Sequence, residues 1–282
     1  MPHSFFRCLT SFLACIVTIA PTQAAILRSL SPSLINHYTF DDPLVDGFVG
    51  NEFESPVERD LGRDATAIQL LNGAPRIADG AWGQSRFALE TAQVSATPTN
   101  DDWKAGVFFE SSAASTLASS NHVAGLTLMG WFKPLGDASQ NPSPNTNTTF
   151  SGDYFNAFGL FGILRGDEGG LATDGHAARA LIEVIDGKLV ALGRRLDSQP
   201  NAARAQTVAP WHQVLVPGQW SHITAVFDYD GGSIALYRNG LPVATQTLGI
   251  ANWQTTPGVD LTSASNAGGI KIGGSHPNNT ME

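Results

Sequence analysis

Cysteine is almost missing from this chain: there are two in 282 residues, Cys8 and Cys15, both near the N-terminus. Everything after them is therefore excluded from disulfide stapling, thiolate metal binding and cysteine nucleophilic chemistry. Basic residues are also few, 16 Lys+Arg against 25 Asp+Glu, for a formal charge of −9. A nucleic-acid binder needs a basic face to displace counter-ions, so that partner class is excluded on charge. Long apolar runs are lacking after the N-terminal stretch, and nothing approaches the roughly 18 continuous apolar residues of a spanning helix. No segment keeps a convincing helical period. Gly-x-Ser-x-Gly, His-Glu-x-x-His and a phosphate-cradling glycine loop are absent as well, which removes the signatures of serine hydrolases, zinc proteases and P-loop enzymes.

What stands at the N-terminus is a single Arg7, an apolar run from Cys8 to Ile19, and Thr22-Gln23-Ala24 with small residues where a signal peptidase reads. Residues 1–24 are expected to be a secretory leader and 25–282 one mature domain, secreted, periplasmic or at the cell surface. Removing the leader takes away Arg7 and no acid, so the formal charge goes from −9 to −10. Acylation at Cys15 is the alternative, but Phe12 is a poor first residue for a lipoprotein signal and most of the apolar run follows the cysteine.

The rest is short apolar segments bounded by Gly, Pro, Asn, Asp or Ser, with 29 glycines and 16 prolines in the chain. In "GQWSHITAVFDYDGGSIALYRNGLPV" (218–243), Ile223, Ala225 and Phe227 alternate with His222, Thr224 and Val226, the period of two that a strand imposes. Asp230-Gly231 and Asn239-Gly240 then supply the turn residues of two hairpins. "LINHYTF" (34–40) reads as a first strand, "GLTLMGWFKP" (125–134) as a strand stopped by Pro134, and "ALIEVIDGKLVALG" (180–193) as a hairpin about Asp186-Gly187. The fold class is all-β, a two-sheet antiparallel sandwich.

The succession "HYTFDD", "RDLGRDA", "LLNGAPRIADGAWGQSRFALE", "LTLMGWFKP", "LIEVIDGKLVAL", the 218–243 meander and "IKIGG" resembles the laminin-G-like jelly-roll family within the concanavalin-A-like lectin and glucanase superfamily. The resemblance implies a jelly roll, and leaves function open among sugar binding, protein binding and glycan hydrolysis. Domains of that family usually continue past the "IGG" strand into a Phe-x-Gly-x-Ile-Asp-Glu segment and a final strand beside the first. The sequence ends at Glu282 without one. A truncated domain with an unpaired edge along Leu34–Phe40 is expected, or a sandwich closed in another way.

Candidate chemistry is sparse. The superfamily's glucanases carry Glu-x-Asp-x-x-Glu or a form one residue shorter on one strand, and that pattern is absent here. Glu183 and Asp186 come nearest, but a three-residue spacing puts them on opposite faces of a strand, and Asp186 serves the turn. Asp60 and Asp64 of "RDLGRDA" match a loop that turns tightly at the sandwich rim in similar domains and could offer oxygens to calcium; the alternative is that they bond their own backbone as turn residues. The acidic loop 165–177, with its Arg165-Gly166-Asp167, reads as solvated turns. Trp131 and Trp220, in or beside strong strands, are expected in the core, with Trp82 near an inward Phe87. Trp103, Trp211 and Trp253 fall in loops and, with Tyr154, are the aromatics available for stacking on a sugar ring; the alternative is that they close lids over the sheet.

Two functions follow. One is an exported, non-catalytic module recognising glycan or an extracellular protein, with calcium as a possible helper. The other is a glycan-active hydrolase whose carboxylate pair comes from separate strands.

Overall fold

The structure is a computed structural model, and it describes residues 31–41, 57–83, 85–93, 103–109, 123–136, 145–146, 154–155, 157–164, 178–185, 187–194, 202–248 and 269–273. The leader 1–24 and the acidic loop 165–177 lie outside the described residues.

The strands are β1 (Val57–Glu58), β2 (Ile68–Leu71), β3 (Arg76–Ile77), β4 (Ala88–Leu89), β5 (Ala92–Gln93), β6 (Trp103–Phe109), β7 (Gly125–Phe132), β8 (Asn145–Thr146), β9 (Tyr154–Phe155), β10 (Ala157–Leu164), β11 (Ala178–Ile185), β12 (Lys188–Arg194), β13 (Ala202–Gln206), β14 (Ser221–Asp228), β15 (Ser233–Arg238), β16 (Leu241–Thr247) and β17 (Gly269–Ile272). A one-turn helix, α1 (Trp211–Val214), leads into β14. A large sheet runs β1-β2-β6-β17-β10-β11-β12-β13, and a smaller one runs β16-β15-β14-β7. Every pairing is antiparallel, as the all-β sandwich reading expects.

The smaller sheet faces only part of the larger one, with β7 against β10 and β11 and with β15 and β16 against β13. Between them lies the main core, in which Ile223, Ala225 and Phe227 of β14 meet Ala180, Ile182 and Val184 of β11, all fully buried. The other half of the large sheet buries Ile68, Leu70 and Ile270 beneath Tyr38, Phe40 and Leu89, which come from the N-terminal segment and the β3–β4 hairpin. This division places the loop between β3 and β4 beside the outer face of β7, where Trp82 meets Trp131.

Three sequence expectations are corrected. Leu34–Phe40 forms no ladder. It is held by irregular bonds, Leu61 N–H to His37 O (2.8 Å) and Asp64 N–H to Ile35 O (3.1 Å), and Gly62 lies so close that a Cβ there would sit 2.3 Å from Ile35 O. The open edge expected along that segment is therefore not where the large sheet ends; "IKIGG" lies inside it as β17, between β6 and β10, and the described sheet ends at β1 and β13. Trp131 is 41% exposed and Trp220 half-buried, so neither belongs to the core. The physical reason is parity. Leu126 and Leu128 point inward from β7, so Trp131 points out, and Ile223 inward on β14 sends His222 and Trp220 outward.

Candidate binding site

The outer face of the smaller sheet is set by the β7–β14 register, which pairs His222 with Trp131 and Thr224 with Met129. These side chains stand on the solvent side, and Met129 is 44% exposed. The Trp131 ring meets the His222 imidazole edge-on at 5.2 Å between centroids. Trp82 also packs against it, tilted, at 5.5 Å between centroids, and is itself 39% exposed. Two indoles and an imidazole thus form one aromatic cluster, the platform, with planes inclined at 47° and 62° to that of Trp131 and with both indoles exposed to water. Thr224 Oγ1 lies 3.4 Å from His222 Nδ1, so polar groups border the rings.

The platform is built from non-local parts. His222 is fixed by the Asn239-Gly240 hairpin turn, both residues at positive φ (49° and 78°): the Asn239 side-chain oxygen accepts from His222 N–H (2.8 Å), and Asn239 N–H returns a bond to His222 O (2.7 Å). Trp82 arrives on the loop after β3, which is pinned at both ends. At its start, Asp79 accepts from Trp220 Nε1 (3.3 Å) and pairs with Lys133 Nζ, while the Lys133 ammonium sits 5.4 Å from the Trp220 ring centre. At its end, one oxygen of Asp41 accepts from Ser85 Oγ (3.0 Å), Arg86 N–H (2.7 Å) and Phe87 N–H (3.1 Å). Gly80 passes so close that a Cβ there would stand 1.7 Å from Ser85 O, so only glycine fits.

Burial lowers the His222 pKa below its usual 6.5, and it lowers that of His37 despite the opposing pull of the Asp60 carboxylate. The Lys133 hydrogen bond holds the Asp79 carboxyl below its ordinary range. At the histidines the unfolded chain takes up protons below pH 6.5 while the folded one resists them, so this part of the stability is present above pH 6.5 and is lost as pH falls through the lower folded values. Thermal melts should be level from pH 8 to about 7 and decline between about pH 6.5 and 5, and His222→Gln should flatten part of that decline. A melting temperature that rises on acidification through this window contradicts it.

Of the residues singled out from sequence for ligand or metal binding, Trp211, Asp60 and Asp64 have described side chains. Trp211 is on α1, not in an open loop, with its ring 4% exposed in the main core, so it presents no face to a ligand. Pro210 precedes it, and Leu215 N–H closes the turn onto Trp211 O (2.7 Å). Trp103 opens β6 instead of lying in a loop, and Tyr154 lies in β9, paired with Thr146. Trp253 lies outside the described residues. Asp60 is 5% exposed and its oxygens meet four N–H donors: His37 N–H (2.6 Å) and Gly62 N–H (2.7 Å) on one, Asn36 Nδ2 (2.7 Å) and Thr66 N–H (2.9 Å) on the other. That is the turn-forming use of a carboxylate, and a cation at Asp60 would have to displace those donors. Asp64 accepts from Arg63 Nε at 3.3 Å. No group of three or more His, Cys, Asp or Glu that could hold a metal occurs among the described residues. Glu183 is fully buried on β11, and Asp186 lies outside the described residues. Among the described residues no helix is long and apolar enough to cross a membrane, which says nothing of strands.

The platform residues that sequence reasoning passed over had a signal. The alternation of "LTLMGWF" read with Leu126 and Leu128 inward already sends Met129 and Trp131 outward. Trp82 had none, because its partner is 49 positions away and the contact depends on where the loop is tied.

No protein-family model and no curated protein matches the chain. Solved structures do. Over 88% of its length the chain is similar to the binding domain of botulinum neurotoxin DC in complex with rat synaptotagmin II, at 9% identity and a TM-score of 0.49, covering 46% of that chain. It is similar over 77% of its length to the binding domain of Paraclostridial Mosquitocidal Protein 1, at 14% identity and a TM-score of 0.42, covering 45% of that chain. Over 61% it is similar to the Ruminococcus gnavus IT-sialidase CBM40 bound to alpha2,3 sialyllactose, at 11% identity and a TM-score of 0.36, covering 76% of that chain. The chain spans a little under half the length of the two toxin binding domains.

Proposed function

We propose that this protein is an exported, non-catalytic recognition module that binds glycan on the outer face of its smaller sheet. The observation that carries the reading is the exposed platform of Trp82, Trp131 and His222. A pyranose ring presents a flat patch of C–H groups; one exposed indole, that of Trp131, offers a matching apolar, electron-rich face, and Trp82, inclined at 47° to it, flanks the stacked ring. Thr224 and the His222 ring nitrogens lie at the border, where the equatorial hydroxyls of a stacked sugar would find hydrogen-bond partners. The rings are held by backbone hydrogen bonds and carboxylate clamps, so little ordering entropy remains to be lost on binding. The sandwich fits the laminin-G-like resemblance of the 218–243 meander, the acidic charge favours a soluble chain, and the leader-like N-terminus is what suggests export. The platform rings are positioned by protein groups alone, so binding is expected to be the same with calcium and with chelator.

A glycan array probed with the protein, in calcium and in chelator, tests this. Binding to a defined set of glycans, insensitive to chelator, is the expected result. Binding to no glycan, or binding that chelator abolishes, overturns the assignment.

A further inference from the structure

We propose that the Asp79–Lys133 pair sets the charge class of the ligand, so that the platform accepts a neutral hexose and rejects an anionic sugar. The inference rests on the glycan-binding reading above and adds the substrate class. Lys133 lies two residues beyond Trp131, and the ammonium of Lys133 comes to rest over the Trp220 ring. A lysine beside a stacking site is an evident counter-charge for a uronate, sialyl or sulfated sugar. Here it is already engaged. One Asp79 oxygen meets Lys133 Nζ and the other accepts from Trp220 Nε1, so the carboxylate faces both groups that would otherwise greet an anion.

Exposure decides which charge a ligand meets first. The Asp79 side chain is 34% exposed and that of Lys133 is 16%, so the outward member of the pair is the carboxylate. An anionic sugar stacked on Trp131 therefore finds no unpaired cation in this pair, because the Lys133 ammonium is already taken by Asp79, the more exposed of the two. The formal charge of −9 repels polyanions at longer range as well. A neutral hexose feels neither term, since its binding depends on ring stacking and hydroxyl hydrogen bonds.

The test uses the full chain and paired probes: neutral hexose oligosaccharides and their counterparts oxidised at C6 to the uronate, differing in that carboxylate alone. Calorimetric titration at low and at high salt gives the ratio of the two affinities. Wild type should prefer the neutral member by about tenfold or more at low salt, with the gap narrowing as salt screens the charges. Asp79→Asn removes the outward charge and releases Lys133, and should shift the ratio toward the uronate by about tenfold. The double variant Asp79→Asn/Lys133→Met should lose that shift, which ties it to the freed ammonium instead of a disturbed fold. Equal affinity of wild type for both members, or a ratio unmoved by Asp79→Asn, overturns the inference and leaves the platform standing. Binding of neither probe class by wild type overturns the platform reading and this inference together.

Discussion

Glu58→Ala should lower the melting temperature by roughly 6–20 °C, the largest single-site effect expected in the chain. Glu58 and Arg76 form a buried ion pair, with side chains 4% and 6% exposed. Arg76 donates Nε–H to Glu58 Oε2 (3.0 Å), and Nη2 bonds the same oxygen and also Val57 O (3.2 Å). The other oxygen accepts from Phe40 N–H (2.8 Å), which fastens the N-terminal segment over the second core. Removing one partner of a buried pair leaves an uncompensated charge, typically costing about 3–5 kcal/mol. Against a total stability of about 5–15 kcal/mol that is a large share. Replacing both by apolar residues, Glu58→Leu with Arg76→Met, should recover most of the loss, since two ions are then spared desolvation. Recovery should stop short of wild type, because Phe40 N–H is left without its acceptor, at about 1–3 kcal/mol. A single variant that melts within a degree or two of wild type contradicts this account of the pair.

Trp131→Ala should cost less stability than Glu58→Ala and remove most of the binding. Trp131 is exposed on the outer face, and its contacts there are to Trp82 and His222. Losing two aromatic contacts should cost on the order of 1–2 kcal/mol of stability, and the core beneath, filled by Leu126, Leu128 and Phe227, is untouched. In a binding site, truncating the central aromatic anchor costs about 2 kcal/mol or more, a fall of roughly thirtyfold in glycan affinity. Trp82→Ala should give a smaller loss, since Trp131 keeps its edge contact with His222. Glu58→Ala protein that remains folded should still bind glycan, because the ion pair lies under the other core cluster. The two variants therefore separate stability from recognition.

The sequence made some of this legible, for physical reasons that differ by element. The β14–β16 meander was readable because alternation and two turn sequences act locally, and Asn239 and Gly240 take the positive φ that such a turn requires. The alternation of "LINHYTF" was misleading. That segment ends with Phe40 at a positive φ (57°), and its backbone bonds go to the 60–64 turn and to the carboxylates of Asp60 and Glu58 instead of a ladder. Trp211 looked available because a four-residue helix is too short to show a period, and burial of its ring depends on the core end it caps. The size and apolar neighbours of Trp131 suggest a core residue, but the phase of its own strand, with Leu126 and Leu128 inward, points it outward. The platform as a whole could not be read, because it joins residues near positions 82, 131 and 222 through clamps at Asp41 and Asp79 whose partners are distant in sequence.

The central claim is that the outer-face aromatics are the recognition surface. It is tested most directly by following the indole N–H resonances of the tryptophans while a glycan selected on the array is titrated in. Assignments come from single Trp→Phe variants. The Trp82 and Trp131 signals should shift together and saturate at the binding constant, while that of Trp211, buried in the core, stays in place. Saturable glycan binding that leaves the Trp82 and Trp131 signals unmoved would contradict the account, because the ligand would then be held somewhere else on the protein.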